Sequence, residues 1–463
     1  MTDILLKNCM YLVTNNDKKE ELTGVDVRIA GKHVVRIGKN ITSPADAKEI
    51  DCSGKLVIPG LINTHHHFFQ TFQRNLPTTQ DVKLFDWLLR LYEIWKFMDE
   101  EVVYYSSLLA MAELLKTGCT TTTDHHYLYN EHIDGLKVPE MQFKAAADVG
   151  MRFVATRGSM SMGRKSGGLP PESVVQDDET VLMQTEEAIR KFHDPSDESM
   201  RQIHVAPCSP FNVTPELMKQ SAELARKYKV RLHTHLCETL DEEEFCLEKF
   251  GKRPFEFMKD LDWVGPDVWF AHGIYFNDEE LKELAENGIG IAHCPASNMR
   301  LGSGIARVRE MRDLGIPVGL GVDGSASNDS SDMLGELRQA LLLQRIKYGP
   351  EAVTARDVFD MATIGSAAVL GRPNLGTIQV GKLADIAIFD LDKLEYTGSL
   401  SDPLAAVIFS GYNHGADVTI VNGEIVVYNN QLQMMDERLI IENGNRLAFQ
   451  LLKKAGVPLK WSG

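Results

Sequence analysis

Eight short strand candidates, spaced by helical segments along the middle of a 463-residue chain, limit its fold more than any other feature. They lie at 57–65, 119–126, 152–158, 203–209, 230–236, 268–273, 289–294 and 317–323. Helical segments such as Pro215–Tyr228, Asp278–Asn287 and Asp332–Tyr348 separate the later ones, and strands alternating with helices imply parallel pairing. Eight such units closing on themselves make a TIM barrel, with functional groups at the C-terminal strand ends. An open doubly wound sheet is the alternative, but no glycine-rich dinucleotide fingerprint follows the first strand. The expected class is α/β, a (β/α)8 TIM barrel.

The two ends of the chain read differently. Residues 1–55 alternate apolar and polar positions, with turn signals at Asn15-Asn16-Asp17 and Gly31-Lys32, as short antiparallel strands do. After residue 372 short strands return at Asp385–Asp390 and along Val418–Val427, where Asn422-Gly423 is a hairpin signal. The reading is a small β-sandwich domain built from residues 1–55 and 372–430, a barrel over 56–371, and a helical segment over 431–463.

Several of the eight runs end in chemically useful residues. The first breaks into Thr64-His65-His66-His67. Alternate strand residues point to one side, so His65 and His67 can reach one point while His66 faces away. The run 230–236 ends in His233-Thr234-His235 and leads to Glu238; 268–273 carries His272; 317–323 ends in Asp323. A lone strand-end histidine or aspartate is ordinarily a hydrogen-bonded structural residue. Imidazoles and a carboxylate gathered at one barrel end are a metal-ligand arrangement.

Composition narrows the partners. With 49 basic against 65 acidic residues the formal charge is −16, which argues against nucleic acid. Seven scattered cysteines do not form a disulfide framework. Ile4-Leu5-Leu6 is too short an apolar run for a signal peptide, and no stretch approaches the roughly 18 residues of a membrane helix. These features read as a cytoplasmic protein, free of membrane and nucleic acid, acting on a small molecule as a homo-oligomer.

The motifs resemble the amidohydrolase superfamily, and within it the cytosine, guanine and chlorohydrolase-type deaminases, the 8-oxoguanine deaminases most of all. The resemblance rests on Pro59–His67, His233–Glu238, His293-Cys294-Pro295-Ala296-Ser297-Asn298-Met299-Arg300-Leu301, Gly321–Asp329 and Val380–Asp385. It implies one divalent metal held by His65, His67, His235 and Asp323. The bridging lysine that binuclear relatives need late in the fourth strand is missing from Val205-Ala206-Pro207-Cys208-Ser209-Pro210. Zinc suits three imidazoles and a carboxylate, and Fe2+ or Mn2+ is compatible with the same ligands. Cys208 reads as a packing or substrate-wall residue.

The implied reaction is hydrolytic deamination of an amino-substituted N-heterocycle, 8-oxoguanine foremost, by an aminohydrolase that releases ammonia. Isocytosine, guanine or a pterin are alternatives, as is chloro- or alkylamino-triazine hydrolysis. Three residues take the catalytic roles: Glu238 as proton shuttle, Asp323 as acceptor of the water proton, and His272 steadying the attacking oxygen. The run Asp241–Glu244 reads as a solvated helix face. Gln70, Trp87 and His125 are candidate substrate contacts: an amide for a lactam edge, a ring for stacking, and a strand-end imidazole at the mouth. His293 reads as structural, and Ser159–Val175 as a lid. The unrelated zinc deaminases need a second cysteine after Pro207-Cys208, which is absent. A catalytically dead scaffold would have lost ligands that this chain keeps.

Overall fold

All eight strand candidates close into one parallel barrel in the computed structural model, which describes residues 3–410 and 415–458. The barrel strands are β1 (Leu61–Asn63), β2 (Cys119–Thr123), β3 (Arg152–Ser159), β4 (Arg201–Pro207), β5 (Leu232–Leu236), β6 (Val268–His272), β7 (Gly290–His293) and β8 (Val318–Leu320). Pairing runs in chain order, and Leu320 opposite Asn63 closes the ring. The outer helices begin at side-chain caps: Asp99 on Val102 N, Thr214 on Leu217 N, Thr239 on Glu242 N. Such caps satisfy amides that the first helical turn leaves unpaired.

The first strand candidate differs from expectation. The run 57–65 is not one strand but two, Lys55–Pro59 and β1, broken at Gly60. Lys55–Pro59 pairs antiparallel with Ile386–Asp390 and belongs to a seven-stranded sheet outside the barrel. Gly60 carries no side chain because the two layers meet there: an added Cβ would lie 2.2 Å from Thr120 Oγ1. An apolar run buried on both sides of such a break has no periodicity that would reveal it.

Strands from both ends of the chain build the second β unit. His33–Gly38, Val25–Ala30, Ile4–Cys9 and Lys48–Asp51 form a four-stranded sheet. The seven-stranded sheet takes Tyr11–Val13 and Glu21–Leu22 from the N-terminal part, and Ile386–Asp390, Val418–Val421, Glu424–Tyr428 and Gln431–Leu432 from the C-terminal part. Ile4, Leu6, Val27, Val57, Ile386 and Ile420 share one buried cluster between the sheets. Asn422 and Gly423 both take positive φ (52° and 79°), the two-residue hairpin geometry their sequence demands. The expected all-antiparallel pairing needs correction: Ile4–Cys9 with Lys48–Asp51, and Tyr11–Val13 with Lys55–Pro59, run parallel.

The final helix, Glu437–Lys454, is tied to the helix Glu100–Lys116 by the Lys116–Glu437 ion pair at 2.8 Å. All seven cysteines are free and buried. Among the described residues no helix is long and apolar enough to cross a membrane.

Candidate active site

Just past β1 the backbone carries His65 and His67 into the C-terminal end of the barrel, where His235 from β5 and Asp323 beyond β8 meet them. Asp323 Oδ1 lies 3.4 Å from His65 Nε2 and 3.2 Å from His67 Nε2. His67 Nε2 and His235 Nε2 are 3.1 Å apart. His66 turns outward to Ser331 Oγ at 2.9 Å, as the strand alternation requires.

The rear nitrogen of each imidazole is engaged. His65 Nδ1 meets His233 Nε2 at 2.8 Å, and His233 Nδ1 meets the Trp269 carbonyl at 3.1 Å. His67 Nδ1 faces the His125 carbonyl, and His235 Nδ1 the Cys208 carbonyl, both at 2.7 Å. Partners of this kind fix the ring tautomer and turn the Nε2 lone pairs inward. Burial, together with the neighbouring imidazoles, holds His65 and His235 well below the usual histidine range, hence neutral. Burial alone would raise the Asp323 carboxyl, but His65 and His67 hold it well below the usual carboxylate range.

With their Nδ1–H groups directed at backbone carbonyls, His67 and His235 turn Nε2 lone pairs toward each other at 3.1 Å, which repel unless something positive lies between them. His65 Nε2 is buried without a hydrogen-bond partner. Two overlapping groups, His65/His67/His125/His235 and His65/His272/Asp323, each bring their ligand atoms within 4.8 Å of one another. A divalent cation fits this donor set. Cys208 belongs to neither group; burial pushes its thiol up to about 12, and Asn212 Nδ2 donates to its sulfur at 3.5 Å.

Glu238 lies three residues beyond His235, and its carboxylate reaches the same point because Cys237 bends the chain with φ 54°. Burial first, then the Asp323 charge, raises the Glu238 carboxyl to about 8, so it holds a proton at neutral pH. His272 Nε2 lies 3.5 Å from Glu238 Oε2 and 4.0 Å from Asp323 Oδ2, while its Nδ1 pairs with Asn298 Oδ1 at 2.9 Å. His272 (φ 70°) and Asp323 (φ 63°) also occupy the left-handed region. Three such residues around one point, each costing about 1–3 kcal/mol, mark a place where surrounding structure overrides local preference.

The acidic run after Glu238 is not a solvated face. Glu242 is fully buried, and its two carboxylate oxygens accept the backbone N–H groups of Cys237 (3.1 Å) and Glu238 (2.8 Å). Glu243 pairs with Arg253, and of the four only Glu244 is exposed. Carboxylates in sequence resemble a surface helix until a backbone turn claims one of them.

A cavity opens above the cluster, and His67, His235, Glu238, His272 and Asp323 line it. Gln70 and Trp87 line it as well; Trp87 sits on the helix Leu84–Trp95, whose Leu84 and Leu88 face the same space. His125 is placed differently from expectation. It does not line the cavity but lies beneath it, its ring stacked on His235 at 4.6 Å and its Nε2 on the Ala206 carbonyl at 2.8 Å. Cys208 lines the cavity too, and Tyr127, Phe211, Asn212, Leu301 and Ser327, none of them singled out from sequence, complete the walls. Tyr127 alternates with His125 after β2, so strand phase was the available signal. Of the expected lid, Ser159–Val175, Ser159 ends β3 and residues 160–175 form a loop with two short helical turns, Arg164–Ser166 and Glu172–Val174.

Comparison with known proteins agrees with this geometry. Residues 56–426 match the amidohydrolase family model. The chain is 44% identical to an 8-oxoguanine deaminase of Pseudomonas aeruginosa, over 98% of this chain and all of that one. It is 37% identical to a hydroxydechloroatrazine ethylaminohydrolase of Pseudomonas sp. strain ADP, over 94% of this chain and 93% of the relative. Among solved structures, atrazine chlorohydrolase from Arthrobacter aurescens TC1 complexed with zinc superposes with a TM-score of 0.91 at 33% identity, over 96% of this chain and all of that one. On the family model and near full-length identity together, the chain belongs to the amidohydrolase family.

Proposed function

We propose that the protein is a metal-dependent hydrolytic deaminase of an amino-substituted N-heterocycle, with 8-oxoguanine as its substrate. One observation carries the reading: the buried carboxyl of Glu238, 3.5 Å from His272, beside a His/Asp cluster at the floor of a cavity. The 44% identity to an 8-oxoguanine deaminase over nearly the whole chain supports the choice of ring.

His65, His67, His235 and Asp323 would hold one divalent ion, zinc by ligand type. Held there, it supplies Lewis acidity, bringing the pKa of water from 15.7 toward about 7. The side chains do the rest. Asp323, ionised and 4.0 Å from His272, accepts the proton of the water that adds to the amino-bearing ring carbon. His272, fixed through Nδ1 by Asn298, presents Nε2 toward Glu238 and the incoming oxygen. Glu238 donates its proton to the adjacent ring nitrogen, the proton held by Asp323 passes to the amine, which departs as ammonia, and the proton of the new C–OH returns to Glu238 as the ring carbonyl forms. For 8-oxoguanine the product is 2,6,8-trioxopurine.

The test is ammonia release by the metal-loaded protein from amino-purines, amino-pyrimidines, pterins and triazines. Ammonia from 8-oxoguanine is expected. Chloride from a chloro-triazine, with no ammonia from any amino-heterocycle, would replace deamination with the halide-displacing chemistry suggested by the triazine-hydrolase neighbours.

A further inference from the structure

Three residues that line the cavity each carry a buried polar atom with no hydrogen-bond partner among the described residues: Gln70 Oε1, Trp87 Nε1–H and Asn212 Oδ1. Their side chains are 1%, 3% and 0% exposed. Unpaired polar groups are uncommon in protein interiors, and three around one cavity form a pattern.

Neighbouring contacts orient each of them. Asn212 Nδ2 donates to the Tyr92 hydroxyl at 3.3 Å and to Cys208 Sγ at 3.5 Å, which places the amide nitrogen and leaves the carbonyl oxygen free. The Gln70 side chain hydrogen-bonds Tyr127 and packs its Oε1 over Gly324, where an added Cβ would lie 1.9 Å away. Trp87 Nε1 meets no acceptor among its apolar neighbours Leu84 and Leu88. The free set is two acceptors and one donor.

We infer that this wall recognises a cyclic-urea edge, in which a ring carbonyl is flanked by two ring N–H groups. Such an edge offers two donors and one acceptor, the complement of the free set. The five-membered ring of an 8-oxopurine carries it at N7, C8 and N9. Guanine carries C–H at C8 and one N–H on that ring, so it leaves the Trp87 donor and one acceptor unpaired. Trp87 thus contributes its indole N–H to the carbonyl rather than only a face for stacking. The inference rests on the deaminase reading and deepens it by assigning the preference for the oxidised ring to three side chains.

Sites built to pair a substrate's polar groups reject analogues lacking them by about 10⁴–10⁵-fold. The wild-type, metal-loaded protein is therefore expected to favour 8-oxoguanine over guanine by at least about 10³-fold in kcat/KM. Trp87→Phe keeps an apolar ring and deletes the N–H; it should shrink that ratio ten- to a hundredfold, with the larger loss on 8-oxoguanine. A second measurement needs no variant: 6,8-dioxopurine, which carries the edge at C8, should compete with substrate far better than hypoxanthine, which has no ring carbonyl between two N–H groups. Guanine turned over within tenfold of 8-oxoguanine, or equal competition by the two oxopurines, overturns the inference while deamination stands. Equal losses on both substrates in Trp87→Phe would reduce Trp87 to packing and overturn it likewise. Ammonia from neither purine would instead remove the deaminase reading on which it rests.

Discussion

His233 places its Nε2 2.8 Å from His65 Nδ1, so one histidine of the His233-Thr234-His235 pair orients a proposed ligand from across the barrel while the other faces the metal position. The pair therefore splits into two tasks. The Trp269 carbonyl takes His233 Nδ1–H at 3.1 Å, which leaves His233 Nε2 as an acceptor for His65 Nδ1–H and directs the His65 Nε2 lone pair inward. Groups that orient ligands in this way are worth about 10–100-fold in metal affinity. His233→Phe is expected to fold and to weaken metal binding by that factor, measured by competition with a chromophoric chelator. Unchanged affinity would leave His233 as filler in the barrel core.

His235→Ala should abolish stoichiometric metal binding, since it removes one of three inward imidazoles. Elemental analysis of the wild type is expected to give about one metal per chain, because β4 ends in Pro207-Cys208 with no lysine to bridge a second. Two metals per chain, or full content in the variant, would refute the assignment. A chelator should also lower the unfolding temperature of the wild type, since binding to the folded state alone adds RT ln(1 + [L]/Kd) of stability.

Glu238→Gln should retain metal and lose about 10²–10⁴-fold in kcat, the usual contribution of a general acid–base group. The variant keeps side-chain volume and a hydrogen-bonding head but has no proton to give at neutral pH. A kcat within a few-fold of wild type, at equal metal content, would exclude Glu238 from proton transfer.

What could be read in the chain before its fold follows from where polar residues interrupt apolar runs. The barrel strands were visible because most are apolar segments bounded by polar or turn residues and β2 is a β-branched threonine run, and His65, His67, His235, Glu238, His272 and Asp323 stood at or just past strand ends. The break at Gly60 was hidden, because both flanking strands are buried and only a close approach to Thr120 demands glycine there. His125 stacks on His235 instead of lining the cavity, a difference that strand phase alone does not announce. Glu242 was hidden among three other acids; its burial depends on two backbone amides that exist only once Cys237 turns. Asn298 lay inside the quoted His293–Leu301 motif, yet its pairing with His272 is a contact between neighbouring strand ends that no local pattern announces.

Gly60→Ala tests the junction between barrel and sandwich. The new methyl would sit 2.2 Å from Thr120 Oγ1 and 2.7 Å from Thr120 Cβ, closer than van der Waals contact allows. Thr120 is a buried residue of β2 with little room to yield. Overpacking of this kind costs about 1–3 kcal/mol. The expected result is a lower unfolding temperature with metal content per folded chain unchanged; an unchanged unfolding temperature would mean the two layers separate easily at Gly60.

Glu242 links stability, pH and the position of Glu238. Burial, the largest influence, raises its carboxyl from the ordinary 4.5 to about 7, against the lowering effect of the two amides it accepts. Between about pH 4.5 and 7 the folded chain then holds a proton that the unfolded chain has released. This group's contribution to stability is therefore complete below pH 4.5 and is lost as pH rises through about 7. Glu242→Gln removes the titration, so its unfolding temperature relative to wild type should improve as pH rises from 5 to 8. The same variant turns an amide NH2 toward one of the Cys237 and Glu238 N–H groups, since glutamine offers one acceptor oxygen where the carboxylate offers two. That should displace the Glu238 backbone, lowering kcat more than KM, with metal content preserved. Glu242→Asp retains two acceptors on a shorter stem and is expected to recover part of the activity. A flat pH difference together with wild-type kcat would show that Glu242 neither titrates in this window nor positions Glu238.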